Sequence, residues 1–380
     1  MAVGPGTLPD FFPVAGIKLG IASAGIKKPG RKDIVVFELA PETRVAGIFT
    51  RNQFCAAPVV LSRRHLSQDA PRYLLINTGN ANAGTGERGL TDAAACCEAL
   101  AKEAGISAGQ VLPFSTGVIG EPLPVAKIVS ALPEALADTR EDRWAEAASG
   151  IMTTDTRPKT ASRTVEIAGE QITIVGMAKG AGMIQPNMAT MLAYVATDAA
   201  VAQPLLDQLV KEAVAASFNR ISIDGDTSTN DACVLIASGV TGATVADADS
   251  EAYAQLQVAV TEVHIELAQA IVRDGEGATK FVTIQVNNAA STREALNVAF
   301  EIGESPLVKT ALYASDPNWG RLVMAVGNAG LDNLDTGKVS IFLDDVQIVD
   351  AGGRAADYTE EAGQKVFEGA EFTITVDLQR

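Results

Sequence analysis

Residues 176–200 read GMAKGAGMIQPNMATMLAYVATDAA, a glycine-rich loop that runs through Ala189-Thr190 into an apolar stretch. A threonine at the junction of a pliable segment and a buried one is a candidate nucleophile, above all if the peptide bond before it is cut. The freed α-amine, with an ordinary pKa of roughly 7.7–8.0, would then lie beside its own hydroxyl. That is the threonine and N-terminal-amine form of an activated nucleophile.

Ser115-Thr116-Gly117 closes the run VLPF and precedes VIGEP. A strand ending this way offers a hydroxyl and an unhindered backbone N–H, two donors able to stabilise a developing oxyanion; an ordinary strand-to-loop turn would look the same. Lys179 stands beside Gly180, Ala181 and Gly182. Glycines let the backbone approach a ligand closely, and lysine is a compact cation for a carboxylate or phosphate. No Lys-Ser or Lys-Thr follows these glycines, so they are not the phosphate-cradling GxxxxGK[ST] loop, and a turn with an exposed lysine accounts for them equally. NTGNANAG at 77–84 either lines a polar pocket or satisfies its own backbone. SIDGDTSTND at 222–231 resembles a calcium loop but lacks the alternating acidic ligands and closing glutamate of an EF-hand. In DGEGATK at 274–280, Glu276 either meets a cationic amine or is solvated, and DPNWGR at 316–321 is either a helix start or a pocket wall.

Histidine is scarce. The chain has two, His65 in a polar segment and His264 in the helical run VTEVHIELAQAIV. With no HExxH or HxE pattern, histidine-based zinc is not expected, and the general base is to be sought outside imidazole. The four cysteines, Cys55, Cys96, Cys97 and Cys233, form no CxxC pair and read as reduced core residues of a cytoplasmic protein.

The 380 residues allow two or three domains and a large core. A net charge of −16 argues against nucleic acid and anionic membrane surfaces, both of which need basic patches. It is compatible with a small cationic substrate, although solubility alone explains it. MAVGPGTLPDFFPVAG has no basic segment followed by an apolar one, so no signal peptide is expected. No apolar run reaches the roughly 18 residues of a membrane span.

Strand-like runs bounded by turn residues fall at 33–39, 72–77, 111–115, 171–177, 191–197, 233–237 and 281–286. Helical patterns fall at 91–104, 142–152, 204–217 and 250–273. Strands interleaved with long helices predict a mixed α/β class. Beyond about 290 the pattern changes. Ser291 through Glu294 reads as a capping box opening a helix to about 302. Helical stretches near 306–313 and 319–328 follow, then strands at 338–343, 346–349 and 372–377. Two domains are expected, 1–290 and a smaller α/β one at 291–380.

Taken together, KGAGMIQPNMATML, NTGNANAGTGE, PFSTGVIGEP, IMTTDT, FNRISIDGDTSTND, DGEGATKF and DPNWGR closely resemble the ornithine acetyltransferase family of arginine biosynthesis, whose members are glutamate N-acetyltransferases, some of them bifunctional. The seven motifs occur in one order from about residue 14 to 330. The resemblance implies a precursor that cuts itself between Ala189 and Thr190, giving an α chain and a β chain that assemble as a heterotetramer of two α and two β chains. It implies oxyanion donors at Thr116 and Gly117. It implies substrate contacts at Thr153 (Thr154 being the alternative), Lys179, Thr190 and Glu276. The implied fold has two stacked sheets between helical layers, like the aminopeptidases of that group. The implied chemistry passes an acetyl group from N-acetylornithine through an acetyl-Thr190 ester to glutamate, without metal or cofactor; acetyl-coenzyme A as a second donor is left open. The family also implies a further C-terminal segment after the strand matched by FTITVDLQR, so a truncated second domain is expected. Two other readings stand beside this one: an aminopeptidase or amidase on the same fold, and a relative whose catalysis has been impaired by the missing segment.

Overall fold

The computed structural model describes residues 2–4, 11–185 and 191–380, in two compact units. The larger comprises 11–221 and 226–271; the smaller comprises 222–225 and 272–380, with 2–4.

In chain order the larger unit holds β1 (Ile17–Ala22), β2 (Ile34–Leu39), β3 (Arg44–Phe49), α1 (Ala57–Gln68), β4 (Tyr73–Asn80), α2 (Gly86–Ala104) and β5 (Val111–Val118). There follow α3 (Val125–Ala137), α4 (Trp144–Gly150), β6 (Lys159–Ile167), β7 (Glu170–Lys179) and β8 (Leu192–Thr197). It closes with β9 (Ala200–Val201), α5 (Gln203–Ala216), β10 (Ala232–Ala237), β11 (Thr244–Val245) and all but the last two residues of α6 (Glu251–Arg273). One sheet runs β1-β2-β4-β5 and a second β3-β10-β8-β7-β6, while β9 and β11 pair separately.

Side chains alternate across a strand, and that alternation builds the layers. Val35, Phe37, Leu74, Ile76, Leu112 and Phe114 of the first sheet share one core with Val175, Met177, Leu192, Tyr194, Val234 and Ile236 of the second. Tyr194 sits 5.3 Å, ring centre to ring centre, from both Phe37 and Phe114. The intervening residues Ile34, Val36, Tyr73, Leu75 and Val111 pack with Leu61, Cys97, Leu100 and Leu132 of α1, α2 and α3. On the far side of the second sheet, Gly176 leaves room for Val263 and Leu267 of α6. The result is helices, sheet, sheet, helices, the expected architecture. Both faces of β8 and β10 are covered, so both strands are buried throughout and, but for Thr197 at the end of β8, apolar.

The smaller unit holds β12 (Phe281–Asn287), α7 (Thr292–Glu304), α8 (Pro306–Ala314), α9 (Trp319–Asn328), β13 (Ser340–Leu343), β14 (Val346–Asp350), β15 (Gly353–Arg354), α10 (Glu360–Phe367) and β16 (Glu371–Asp377). They form a sheet ordered β12-β16-β13-β14-β15. Val298, Ile302, Leu322, Ile341, Ile374 and Val376 lie at its core. The α7 cap is close to the expected box: Ser291 Oγ accepts from the Glu294 N–H at 3.2 Å, while the Glu294 carboxylate accepts from Ala290, one residue early, at 3.1 Å.

The structure adds elements that the residue pattern did not announce. β1 and β3 each carry a mid-strand glycine, Gly20 and Gly47. At Gly20 a Cβ would lie 1.8 Å from the Ala135 carbonyl oxygen, so the glycine is what lets α3 seat on β1. α3 contains Pro133, and α1 has no side-chain cap. β6 alternates with polar residues on its exposed face. No described helix is long and apolar enough to cross a membrane.

Candidate active site

β4 and β5 run parallel from Tyr73 opposite Val111 to Gly79 opposite Gly117, where the register slips. β5 is buried as far as Thr116 and exposed from Gly117 onward. The strand therefore delivers Thr116 to the boundary between core and solvent. Gly117 has φ +132°, and a Cβ there would meet the Gly79 carbonyl carbon at 2.4 Å and the Asn80 nitrogen at 2.6 Å. Only glycine allows this backbone conformation and this approach. The segment 77–84 resolves as a self-satisfied brace for the strand end. Ser115 Oγ donates to Asn77 Oδ1 at 2.6 Å, and Asn77 Nδ2 donates to the Asn80 carbonyl at 2.9 Å. Asn80 Oδ1 accepts from the Asn82 N–H at 2.8 Å.

Lys179, the last residue of β7, donates from Nζ to Thr116 Oγ1 at 3.3 Å. The two were 63 residues apart in the chain, and the sandwich of sheets joins them. Asp155 fixes the surroundings. One carboxylate oxygen accepts the Gly180 N–H at 2.7 Å and the Lys159 ammonium at 2.6 Å, and the other accepts the Thr153 N–H at 2.9 Å. Asp155 and Lys159 side chains are 0% and 1% exposed. Burial alone would raise the Asp155 carboxyl, but the charges of Lys179 and Lys159 and these hydrogen bonds hold it at about 2. Thr153 is half-buried on this clamp and Thr154 is exposed. The two ammoniums around one ionised carboxylate leave a net positive charge, suited to a substrate carboxylate.

Residues 226–231 do what no spacing in the sequence announced. Asn230 Nδ2 donates to the Ala81 carbonyl at 2.6 Å and to the Ser115 carbonyl at 2.9 Å, tying the loop to the strand that carries Thr116. The Thr229 carbonyl accepts from Ala56, and Thr227 Oγ1 donates to the Gln185 carbonyl at 2.9 Å. Asp231, at the head of β10, is buried. A cleft of about 350 Å³ lies against this loop, lined by Asn52, Phe54, Ile119, Met183, Asp226 and Thr229 among others. Ile119 follows Gly117 by two residues and Met183 follows Gly180 by three, so the cleft opens beside the strand ends just described.

The structure thus brings Thr116, Gly117, Thr153 and Lys179 into one region of the larger unit. Glu276 belongs to the smaller unit, exposed in the turn after α6. Ala189 and Thr190 lie outside the described residues; the described chain resumes at Met191, one residue before β8. Neither histidine joins the group. His65 Nδ1 pairs with the Val111 carbonyl at 2.7 Å. His264 is fully buried, 3.6 Å from Cys233 Sγ, and burial pushes it down to about 4.

A protein-family model described as the ArgJ family matches residues 18–380. The chain is 57% identical over 381 residues to a curated protein of Pseudomonas fluorescens (strain Pf0-1) named "Arginine biosynthesis bifunctional protein ArgJ", covering all of this chain and 94% of that one. A relative of the same name from Pseudomonas syringae pv. tomato matches at the same identity and coverage. Among solved structures, the chain is similar to an ornithine acetyltransferase complexed with ornithine from Mycobacterium tuberculosis, at 34% identity and a TM-score of 0.41 over 47% of this chain and 94% of that one.

Proposed function

Since the chain belongs to the ArgJ family, we propose that it is an acetyltransferase of arginine biosynthesis, moving the acetyl group of N-acetylornithine to glutamate. The observation that carries this reading is the meeting of Lys179 with Thr116 at 3.3 Å, at the point where β5 passes from core to solvent. It puts a cation and an oxyanion donor side by side where a carboxylate-bearing acyl substrate needs both.

The chain first cuts itself between Ala189 and Thr190. The Thr190 hydroxyl attacks the Ala189 carbonyl, the C–N bond breaks as the proton passes to nitrogen, and water hydrolyses the resulting ester. In the mature enzyme the Thr190 α-amine takes the hydroxyl proton. Thr190 oxygen attacks the acetyl carbonyl of N-acetylornithine, and Thr116 and Gly117 hold the oxyanion. One such donor is typically worth about 10²–10³ in rate. Ornithine leaves with the proton, glutamate enters, and its amine takes the acetyl group from the Thr190 ester. This is double displacement and uses no metal or cofactor. Lys179 pairs with the substrate α-carboxylate, Thr153 contributes to the pocket wall, and Glu276 orients an amine. Acetyl-coenzyme A serves as a second donor, as the word bifunctional in its relatives' names suggests, and the two fragments assemble as a heterotetramer of two α and two β chains.

Intact-mass analysis tests the core of this. The wild type is expected as two fragments, with an acetyl adduct on the C-terminal one after incubation with N-acetylornithine. Thr190→Ala is expected as a single inactive chain. A Thr190→Ala protein that still cuts and transfers acetyl groups would refute the assignment.

A further inference from the structure

Acetyl transfer from N-acetylornithine leaves one concentration of charge without a role. The loop joining β1 to β2 reads SAGIKKPGRKD at 23–33, with Lys27, Lys28, Arg31 and Lys32 close together in a chain whose net charge is −16. Its base is fixed. The Asp33 carboxylate accepts the Ala24 and Ile26 N–H groups at 2.6 Å each, and Ser23 Oγ donates to the Arg31 carbonyl at 2.7 Å. Lys127, in the first turn of α3, donates from Nζ to the Gly25 carbonyl at 2.8 Å. The tip, Lys28-Pro29-Gly30, is exposed. Among the described residues, Lys27 meets Glu121 at 2.6 Å and Lys32 meets Glu134 at 3.3 Å. The other cations have no carboxylate. Arg31 donates to the neutral Met152 carbonyl at 2.5 Å, Lys127 to the neutral Gly25 carbonyl, and the Lys28 side chain has no partner among the described residues. The loop also abuts the candidate site, within the larger unit. A Cβ at Gly79 would lie 3.1 Å from Lys27 Cγ, and Gly117 packs directly on Gly79. Residues 119–121 join the loop to the cleft, because Ile119 lines the cleft and Glu121 holds Lys27.

We propose that the β1–β2 loop docks the phosphate groups of a phosphorylated acetyl donor, whose acyl-bearing arm lies along the cleft wall of Phe54, Ile119 and Met183. The proposal deepens, and rests on, the reading of acetyl-coenzyme A as a second donor. A protein of net charge −16 repels a polyanion, so such a donor needs a local field of opposite sign. Lys28, Arg31 and Lys127 supply it, since no carboxylate neutralises them. The braced loop base means that little has to be ordered on binding. N-acetylornithine and glutamate carry no phosphate, so the loop bears on one donor and not on the other. Nucleic acid, another polyanion, is held by many phosphate contacts over an extended basic surface, and one short loop on an acidic protein does not provide it.

The test uses the full-length protein. Coenzyme A binding is measured by titration calorimetry, and glutamate acetylation is measured with acetyl-coenzyme A and, separately, with N-acetylornithine. Lys28 is exposed, so its substitution leaves the fold intact, as circular dichroism will verify. Lys28→Ala is expected to weaken coenzyme A binding and raise KM for acetyl-coenzyme A by about 3-fold, the size of one exposed charge contact. Lys28→Glu, which adds repulsion to that loss, is expected to do so by about 10-fold. KM for N-acetylornithine is expected to stay at the wild-type value in both. Added salt is expected to raise the wild-type KM for acetyl-coenzyme A, because exposed charges are screened. Lys102→Glu is the control: it reverses an exposed charge in the last turn of α2, about 24 Å along the helix from its start beside Gly84, and is expected to change none of these constants. Unaltered coenzyme A affinity and KM in Lys28→Glu overturn the inference, as does equal damage with both donors or an equal effect of Lys102→Glu; each leaves the second-donor reading standing. A wild type that transfers from N-acetylornithine but neither binds coenzyme A nor uses its acetyl thioester removes the second-donor reading and the inference with it.

Discussion

Asp155→Asn isolates the clamp beneath the site. It removes the carboxylate to which Lys159 donates at 2.6 Å with its side chain 1% exposed. Deleting one partner of a buried ion pair typically destabilises by about 3–5 kcal/mol, because the remaining charge stays desolvated. The titration gives a second measure. Asp155 is held at about 2 against an ordinary 3.8, which at 1.36 kcal/mol per unit is roughly 2–3 kcal/mol in favour of the charged form. The expected loss of stability is therefore about 3 kcal/mol at pH 7. The sign in pH follows. The folded-state value is depressed, so this contribution is complete above the ordinary value and disappears as pH falls toward 2. A protonated Asp155 resembles an asparagine, so the gap between wild type and variant must close between pH 5 and pH 2. Trp144, fully buried in the larger unit against Phe37 at 5.7 Å, reports that unit's unfolding by fluorescence in urea once Trp319 of the smaller unit is replaced by phenylalanine. The double variant Asp155→Asn/Lys159→Met, which leaves no buried charge unpaired, should recover part of the loss. A gap under about 1 kcal/mol at pH 7, or one that does not change with pH, would refute the reasoning.

Other substitutions probe the strand end. Gly117→Ala forces a Cβ to within 2.4 Å of the Gly79 backbone, and β4 and β5 must part by roughly 1 Å. Acetyl transfer should fall by about 10²-fold, since a misplacement of that size is enough to do so; unchanged kcat/KM in a folded Gly117→Ala protein would show that Gly117 does not shape the site. Asn230→Ala leaves the Ala81 and Ser115 carbonyls buried without their donor. At about 1–3 kcal/mol for each group stranded, the expected loss is about 2–4 kcal/mol by urea unfolding, and a loss under about 0.5 kcal/mol would show that the loop does not anchor β5.

Much of the architecture was legible because burial leaves a periodic record. β2, β8, β10 and β12 begin within one residue of the runs read from the sequence. Of the strands that escaped, β1 and β3 carry glycines whose purpose is to admit a neighbour, which is invisible without that neighbour, and β6 carries polar residues on its exposed face. α2 begins at Gly86, five residues earlier than its apolar pattern, because its first turn is glycine and charge on an exposed face. Of the candidate site, Thr116, Gly117, Lys179 and Thr153 were nameable in advance from strand ends, glycines and family resemblance. Asp155, Asn230 and Asp231 were not, because an acid or amide in a polar loop looks the same whether it ends in water or in the core.

By itself the sequence determined most of the strands and helices and where a hydroxyl would stand at the exit of a buried run. Side-chain period and glycine placement are local properties of a chain. Tertiary structure alone decided that Lys179 reaches across 63 residues to Thr116, that Asn230 reaches across 115 to Ser115, and that the Asp155 carboxyl is held low while burial pushes that of Asp231 up. Two aspartates of identical chemistry part company because one is buried among ammonium groups and hydrogen-bond donors, while the other is buried where they are too few to offset the loss of water.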